Sequence, residues 1–424
     1  MQTSSPVFPQ SEDRAFIRQK YWVLAKLCFA LVMALTTWFS ATAVMAQLKI
    51  HWQVSVPQAA WLAVAVQLGF VLGSVFSAIT SLADLVPARL LMAGASIAVA
   101  VVNALLLVAQ NGTQAVCLRV LTGVLLAGVY PPAVKFISTW FRQNRGIALG
   151  CVIGALTLGS ATPHAVNALG GADWHFVILS TSAATLVAAA LFLLTLSDGP
   201  FSFPKVKFRP SEVGTALSDR RFLLCTVGYV GHMWELYALW SWLLFFVSAR
   251  LSALGRPDQS LASIITFAII AVGAPSCVAA GVIADKIGRP LTTVSLMAIS
   301  GLCALLIGVV FPDAQWVFLA VGLVWGGSVI ADSAQFSAIV TESGQRFVGT
   351  ALTVQMGAGF AITVPAILAL PYAAAWLDGW RWVFLVLVPG PLLGSLAMLV
   401  LHYRDRREPR RDQDPLDLVP SLTR

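Results

Sequence analysis

The chain has 424 residues, 58% of them hydrophobic and only 11% charged, with a mean hydropathy of +0.82. Soluble domains carry roughly a quarter charged residues, so this sequence lacks the polar surface that would cover a globule in water. The net charge of +8 and isoelectric point near 9.4 follow from where the basic residues sit along the chain and give no reason to invoke a nucleic-acid partner.

Twelve apolar stretches, each long enough to cross about 30 Å of hydrocarbon as a helix, follow one another: 22–46, 58–80, 88–110, 115–138, 144–170, 174–196, 222–248, 261–284, 290–311, 314–340, 347–374 and 380–402. The pattern predicts an all-α membrane protein of twelve transmembrane helices in two six-helix bundles. Tails cover 1–21 and 403–424, the lobes 22–196 and 222–402, and a polar linker 197–221 with Lys205, Lys207 and Arg209 joins them. Residues 1–21 are polar and no cleavable signal follows, so the first span is its own insertion signal. With the N-terminus cytoplasmic, the outer loops hold only Lys49, Arg250, Arg256 and Arg381 of the 27 basic residues; Arg119 lies within a span and 22 remain on the inner side. Basic residues are retained on the cytoplasmic side of short loops. Both termini are therefore expected inside a cell membrane, a bacterial inner membrane being the natural setting, with Arg404, Arg406, Arg407, Arg410 and Arg411 facing anionic headgroups. All six cysteines fall within spans, which argues for packing rather than disulfides.

Taken in chain order, the first polar or aromatic groups at depth are Trp38 in span 1 and Gln67 in span 2, candidates for binding a solute. Arg119 lies in span 4, about a turn and a half from its outer end. Span 5 carries Gly146, Gly150 and Gly154 on one stripe for close packing, and an isolated His164 that reads as a packed, hydrogen-bonded histidine. Span 7 holds the chain's most informative feature: His232 and Glu235 three residues apart, then Tyr237 and Trp240. An intramembrane acid is costly and is either paired or used; His232 and Glu235 share a helical face and can pass a proton between the two aqueous sides. Asp332 in span 10 is the other deep acid, and Gln355 lies in the middle third of span 11. Glu235, His232, Arg119 and Asp332 are the candidate coupling set. Trp38, Gln67, Tyr237, Trp240 and Gln355 are the candidate solute contacts.

The halves echo each other. Lys135-Phe136-Ile137-Ser138 aligns with Gln335-Phe336-Ser337-Ala338, Arg145-Gly146 with Arg346-Phe347, Pro163 with Pro365, and Asp173-Trp174-His175-Phe176-Val177 with Gly379-Trp380-Arg381-Trp382-Val383, at offsets of 200 to 206. Such repeats put a solute path at the interface between halves. Gly281-Val282-Ile283-Ala284-Asp285-Lys286-Ile287-Gly288-Arg289, between spans 8 and 9, resembles the signature loop of the major facilitator superfamily. Ala83-Asp84-Leu85-Val86-Pro87-Ala88-Arg89, between spans 2 and 3, is a degraded copy with Pro in place of Gly.

The resemblance implies alternating access between two lobes, with Asp84, Arg89, Asp285 and Arg289 as gate residues. It also matches Arg119-Val120-Leu121-Thr122-Gly123 to the Arg-x-x-x-Gly motif of span 4, which implies a role for Arg119 in proton coupling or solute electrostatics. An Arg bonded to helix carbonyls is the bland alternative. Gly159 and Pro163 are separated where drug antiporters of the superfamily join them, and spans 2 and 8 lack the arginines of its nitrate porters.

No nucleotide-binding loop or metal-ligand spacing is present, so no cofactor is expected and enzymatic catalysis is disfavoured. The resulting expectation is a monomeric secondary transporter for a small organic solute, probed first as a proton symporter. A multidrug-type proton antiporter and a non-transporting receptor or scaffold are the alternatives. The charge asymmetry generates a topology test: single cysteines at position 205 and position 256 should label only from the inner and only from the outer side, respectively, and exchange of the two sides would reverse the assignment.

Overall fold

A computed structural model describes residues 14–141, 144–170, 173–201, 210–342 and 348–407, and every regular element among them is helical. Eleven helical segments are long and apolar enough to cross a membrane. Span 1 completes the set of twelve but differs from the expected 22–46. Its main helix is Arg14–Leu35, with Arg18, Lys20 and Lys26 lowering its apolarity, and Ser40–Ala43 and Met45–His51 follow after a break. Lys20 is buried there beneath the rings of Phe16, Tyr21 and Phe141, 5.3 to 5.9 Å from its ammonium. Cation–π contact and a long aliphatic stem make that burial tolerable. The linker lysines Lys205 and Lys207 and Arg209 lie outside the described residues.

Three more spans expected to be continuous are also divided. Span 4 consists of Gly112–Leu126 and Tyr130–Ser138, span 8 of Gln259–Ala271 and Gly273–Ile287, and span 10 of Gln315–Ala331 and Ser333–Thr341. The remaining main helices are Val56–Thr80, Ala88–Ala104, Arg145–Leu169, Trp174–Thr195, Arg220–Ala253, Arg289–Val309, Val348–Trp376 and Pro389–Arg407. Local chemistry starts several of them. Asp219 Oδ1 accepts from the backbone N–H groups of Arg221 (2.7 Å) and Phe222 (3.1 Å) at the head of span 7, and Ser55 with Gln58 forms a reciprocal capping box ahead of span 2.

Packing partners repeat with a shift of six spans. In the first half, span 1 packs on 5 and 6, span 2 on 4, and span 3 on 4 and 6; in the second, span 7 packs on 11 and 12, span 8 on 10, and span 9 on 10 and 12. The halves meet where span 5 lies along span 8 and span 2 along span 11. These are two pseudo-symmetric bundles in one chain, and each begins and ends on the face where Arg14 and Arg407 lie, called here the terminal face.

Glycine sets the closest approaches. A Cβ added to Gly123 would fall 2.0 Å from the carbonyl oxygen of Val66, and one at Gly326, the equivalent place in the second bundle, 1.7 Å from that of Ile269. The glycine of the Arg-x-x-x-Gly motif is thus where spans 2 and 4 touch. Gly288 has φ +87° and turns the chain between spans 8 and 9, a backbone that disfavours other residues. The degraded copy lacks that glycine and turns instead through Ser81 at φ +54°, a short helix Leu82–Leu85, and Pro87.

These contacts generate a packing test. Gly326→Ala should lower the thermal midpoint of the detergent-solubilised protein, since a methyl against main chain costs about 1–3 kcal/mol or more. Gly94→Ala, whose added methyl meets nothing within 4 Å, should leave the midpoint unchanged or raise it. Equal midpoints for the two variants would refute the close approach.

Candidate functional site

A cavity of about 60 Å³ lies between the bundles, small beside the roughly 300–1,000 Å³ of sites that hold drug-sized ligands. Spans 4, 5, 7, 10 and 11 line it. Its hydroxyl groups come from Tyr130, Tyr229, Tyr237, Ser333 and Ser337, and its apolar wall includes Ile153, Leu156, Met233 and Phe360. Tyr130 and Ser333 each open the second helix of their broken span, so the two breaks deliver polar side chains to the same space. Among the described residues, the hydroxyls of Tyr130, Tyr229, Tyr237 and Ser337 have no protein hydrogen-bond partner.

Helix 220–253 divides its work by face. Tyr229, Met233, Leu236 and Tyr237 face the cavity, while His232 and Glu235 turn into the second bundle. The expected pairing of His232 with Glu235 is replaced by two separate constellations. His232 Nδ1 sits 2.9 Å from Asp332 Oδ1, an ion-pair distance lying off the line of a good hydrogen bond, and Nε2 is 2.6 Å from Ser333 Oγ. Both partners stand at the break of span 10. The carboxylate of Glu235 instead accepts from Ser300 Oγ at 2.7 Å and from Trp325 Nε1 at 2.6 Å. His232, Glu235 and Asp332 are all buried. Among the described residues, Ser333 is the hydrogen-bonded link from these groups to the cavity wall, and the Tyr229 ring stacks on His232 at 6.0 Å.

Arg119 is fully buried and holds the break in span 1. Its guanidinium donates to the carbonyls of Trp38 and Thr37 (2.9 Å to the latter), to Ser40 Oγ at 3.2 Å and to Asn103 Oδ1 at 3.3 Å. Asn103 passes the network to Thr181 Oγ1 (3.1 Å) and Ser182 Oγ (2.9 Å) of span 6. No carboxylate pairs with Arg119 among the described residues. The geometry therefore has the guanidinium bonded to the carbonyls of the break in span 1.

On the side of the cavity away from the terminal face, rings from both bundles interlock. Trp38 lies 5.8 Å from Tyr237 and 4.9 Å from Phe70, Phe70 lies 4.7 Å from Phe360, and Phe39 meets Trp240 edge-on at 5.9 Å. The indole N–H groups of Trp38 and Trp240 are buried without partners. Gln67 and Gln355 do not line the cavity. Gln67, in the orientation that satisfies both ends of its amide, donates to Ala63 O (2.7 Å) and Val64 O (3.2 Å) of its own helix, and Gln355 Nε2 contacts Cys225 Sγ at 3.4 Å.

At the terminal face the expected Asp285–Arg289 latch is rearranged. Arg289 bonds chiefly to Glu342 Oε1 (2.6 Å from Nη2, 2.8 Å from Nε) and Gln335 Oε1 (2.7 Å), with Asp285 at 3.7 Å. Asp285 lies instead over Gly146, in the first turn of helix 145–169 of the other bundle, where a carboxylate is favoured by the helix dipole. Arg89 is exposed, and the side chain of Asp84 lies outside the described residues.

Sequence reasoning missed Tyr130, Tyr229, Ser333 and Ser337. The Pro131-Pro132 pair after Tyr130 was the available signal for a helix restart. His164 also departs from expectation: its ring is fully buried, yet neither nitrogen has a partner.

Helical bundles of this kind, with a polar-edged cavity at their seam, define a multi-pass membrane protein built from two helical halves. The Major Facilitator Superfamily profile matches residues 27–364, and the chain belongs to that superfamily. Among curated relatives, the MFS-type transporter pytF of Aspergillus terreus is 27% identical over 180 residues, covering 40% of this chain and 56% of that one. A protein of Agrobacterium vitis named "Putative tartrate transporter" is 29% identical over 190 residues, 37% of this chain and 41% of that one. The matches thus span about half the length of these relatives. Among solved structures, a variant of the nucleoside transporter NupG superposes with a TM-score of 0.67 at 12% identity, covering 89% of this chain and 99% of that one. A bacterial homologue of the human lysosomal transporter Spinster, inward-facing and unoccupied, gives 0.65 at 13% identity over 92% and 96%. At these identities the likeness is one of fold.

The orphaned imidazole supplies a stability test. An unpartnered buried polar group costs about 1–3 kcal/mol, so His164→Leu should raise the thermal midpoint of the purified protein. A fall would mean that the ring is bonded.

Proposed function

We propose that this chain is a secondary active transporter that carries a small organic solute together with a proton, rocking its two bundles about a central cavity. The observation that carries the reading is the buried His232–Asp332 pair at the break of span 10, linked to the cavity wall through Ser333. A proton arriving from the cavity can reach His232 Nε2 through the Ser333 hydroxyl, and Asp332 on the other side of the ring stabilises the imidazolium that forms. Because Asp332 is the junction residue of span 10 and Ser333 opens the helix after it, a change of charge on the His232–Asp332 pair bears directly on the geometry of span 10.

Glu235 is proposed as a positioning acid that ties span 7 to spans 9 and 10 through Ser300 and Trp325. Arg119 is proposed to stabilise the interrupted first span. Asp285 over helix 145–169, together with Arg289, Glu342 and Gln335, is proposed as the gate at the terminal face, with Arg89 and Asp84 in the corresponding loop of the first bundle. Both bundles belong to one chain, which supports a monomer, and the basic residues of the loops on the terminal face support a cell membrane with cytoplasmic termini. The Agrobacterium relatives are named for tartrate, which supports small organic molecules as the cargo class.

Accumulation and counterflow measured in the same vesicles test the coupling. Asp332→Asn should abolish accumulation driven by a pH gradient while counterflow, which needs no net proton movement, persists. His232→Ala should shift the pH optimum of uptake. Glu235→Gln, whose amide oxygen can still accept from Ser300 and Trp325, should retain most accumulation. Loss of accumulation in Glu235→Gln with retention in Asp332→Asn would move the coupling site to Glu235.

A further inference from the structure

We infer that the solute is uncharged when bound, a small molecule bearing several hydrogen-bonding groups on an apolar frame. The inference rests on the transporter reading above and concerns the chemistry of the cargo alone.

Four hydroxyls converge on the central cavity with no protein partner among the described residues: Tyr130 from the first bundle, and Tyr229, Tyr237 and Ser337 from the second. A hydroxyl can donate or accept, so this set meets alcohols, amides and carbonyls equally and has no preference for a sign of charge. Left unmatched, such groups penalise burial, and a solute that pairs with them relieves the penalty. The rest of the wall is apolar, with Phe360 and the two methionines, Met233 and Met356, able to adapt to an irregular carbon frame.

Among the described residues, no side chain that is ionised at neutral pH lines this space, and Arg119, Glu235, His232 and Asp332 are engaged elsewhere. Arg119 donates to the carbonyls of Thr37 and Trp38, Glu235 accepts from Ser300 and Trp325, and His232 and Asp332 face each other. A dicarboxylate or an organic cation would therefore leave water for a low-dielectric chamber that offers no counter-ion, at a cost that hydroxyls alone do not offset. A neutral solute avoids that cost. It also adds no charge of its own to that of the proposed proton pair. The cavity of about 60 Å³ must widen to admit such a molecule, and since its hydroxyls come from both bundles, the solute bridges them as they move.

The test is a thermal-shift screen of the purified full chain in nanodiscs, near neutral pH, against a metabolite set balanced among neutral, anionic and cationic members. The set includes two pairs matched in shape: tartrate with its neutral diamide, and choline with 3,3-dimethyl-1-butanol. The expected stabilising compounds are neutral. Titration of these hits against Tyr130→Phe and Tyr237→Phe should show affinity reduced about 3- to 10-fold for each hydroxyl removed, with the midpoint of the unliganded protein unchanged or raised because neither hydroxyl has a partner to lose among the described residues. Charged hits, the absence of any neutral hit, or unaltered affinity in both variants would each overturn the inference. Binding is read here without a proton gradient, so loss of proton dependence in vesicles counts against the coupling proposal only, and a charged ligand counts against this inference only.

Discussion

A membrane interior offers no water to a broken helix, and the guanidinium of Arg119 answers that constraint in the first bundle. Where span 1 stops at Leu35, the carbonyls of Thr37 and Trp38 are left without helical donors, and Arg119 supplies them. That bond lets the chain change course at mid-depth and sends Trp38 and Phe39 toward the second bundle. The ring contacts with Tyr237, Phe360 and Trp240 depend on this redirection. A continuous first helix would present different side chains at the seam.

The same constraint recurs at spans 4 and 10, where the solutions diverge although the fold is repeated. Each break is followed by a nine-residue helix, Tyr130–Ser138 or Ser333–Thr341. In span 4 the restart is assisted by two prolines, which need no N–H partner at the head of a helix, and the residue delivered to the cavity is a phenol. In span 10 the junction residue is Asp332, and the restart delivers a serine that touches His232. Duplication supplied two equivalent interruptions, and their side chains now provide a neutral contact surface in one half and an ionisable pair in the other.

Much of the architecture was legible in the chain because it rests on long-range regularities: hydropathy, the 200 to 206 residue offset between motifs, and the shift of basic residues to one set of loops. Interruptions were not legible, since a break such as the one at Val272 leaves the apolar count of its span unchanged. Facing was the other weak point. His232 and Glu235 do lie a turn apart, but a turn of helix spans enough angle for Ser333 and Asp332 to engage one and Ser300 and Trp325 the other. The glutamines Gln67 and Gln355 stood at cavity depth, yet depth carries no information on azimuth: Gln67 turned to carbonyls of its own helix and Gln355 to Cys225 of span 7. Glycine was more informative than it first appeared: Gly123 and Gly326 mark the sites where main chains touch, and these contacts fix which spans are neighbours.

The two closures of the seam are built from different forces. On one side of the cavity the bundles are joined by rings, whose attraction is largely indifferent to dissolved ions. At the terminal face they are joined by Asp285 above the first turn of helix 145–169, with half of its side chain exposed at 52%. That contact lies in water, where screening at physiological salt acts over about 8 Å. Ionic strength on the terminal side therefore weakens one closure without touching the other, so the two ends of the seam answer differently to the salt in a single compartment.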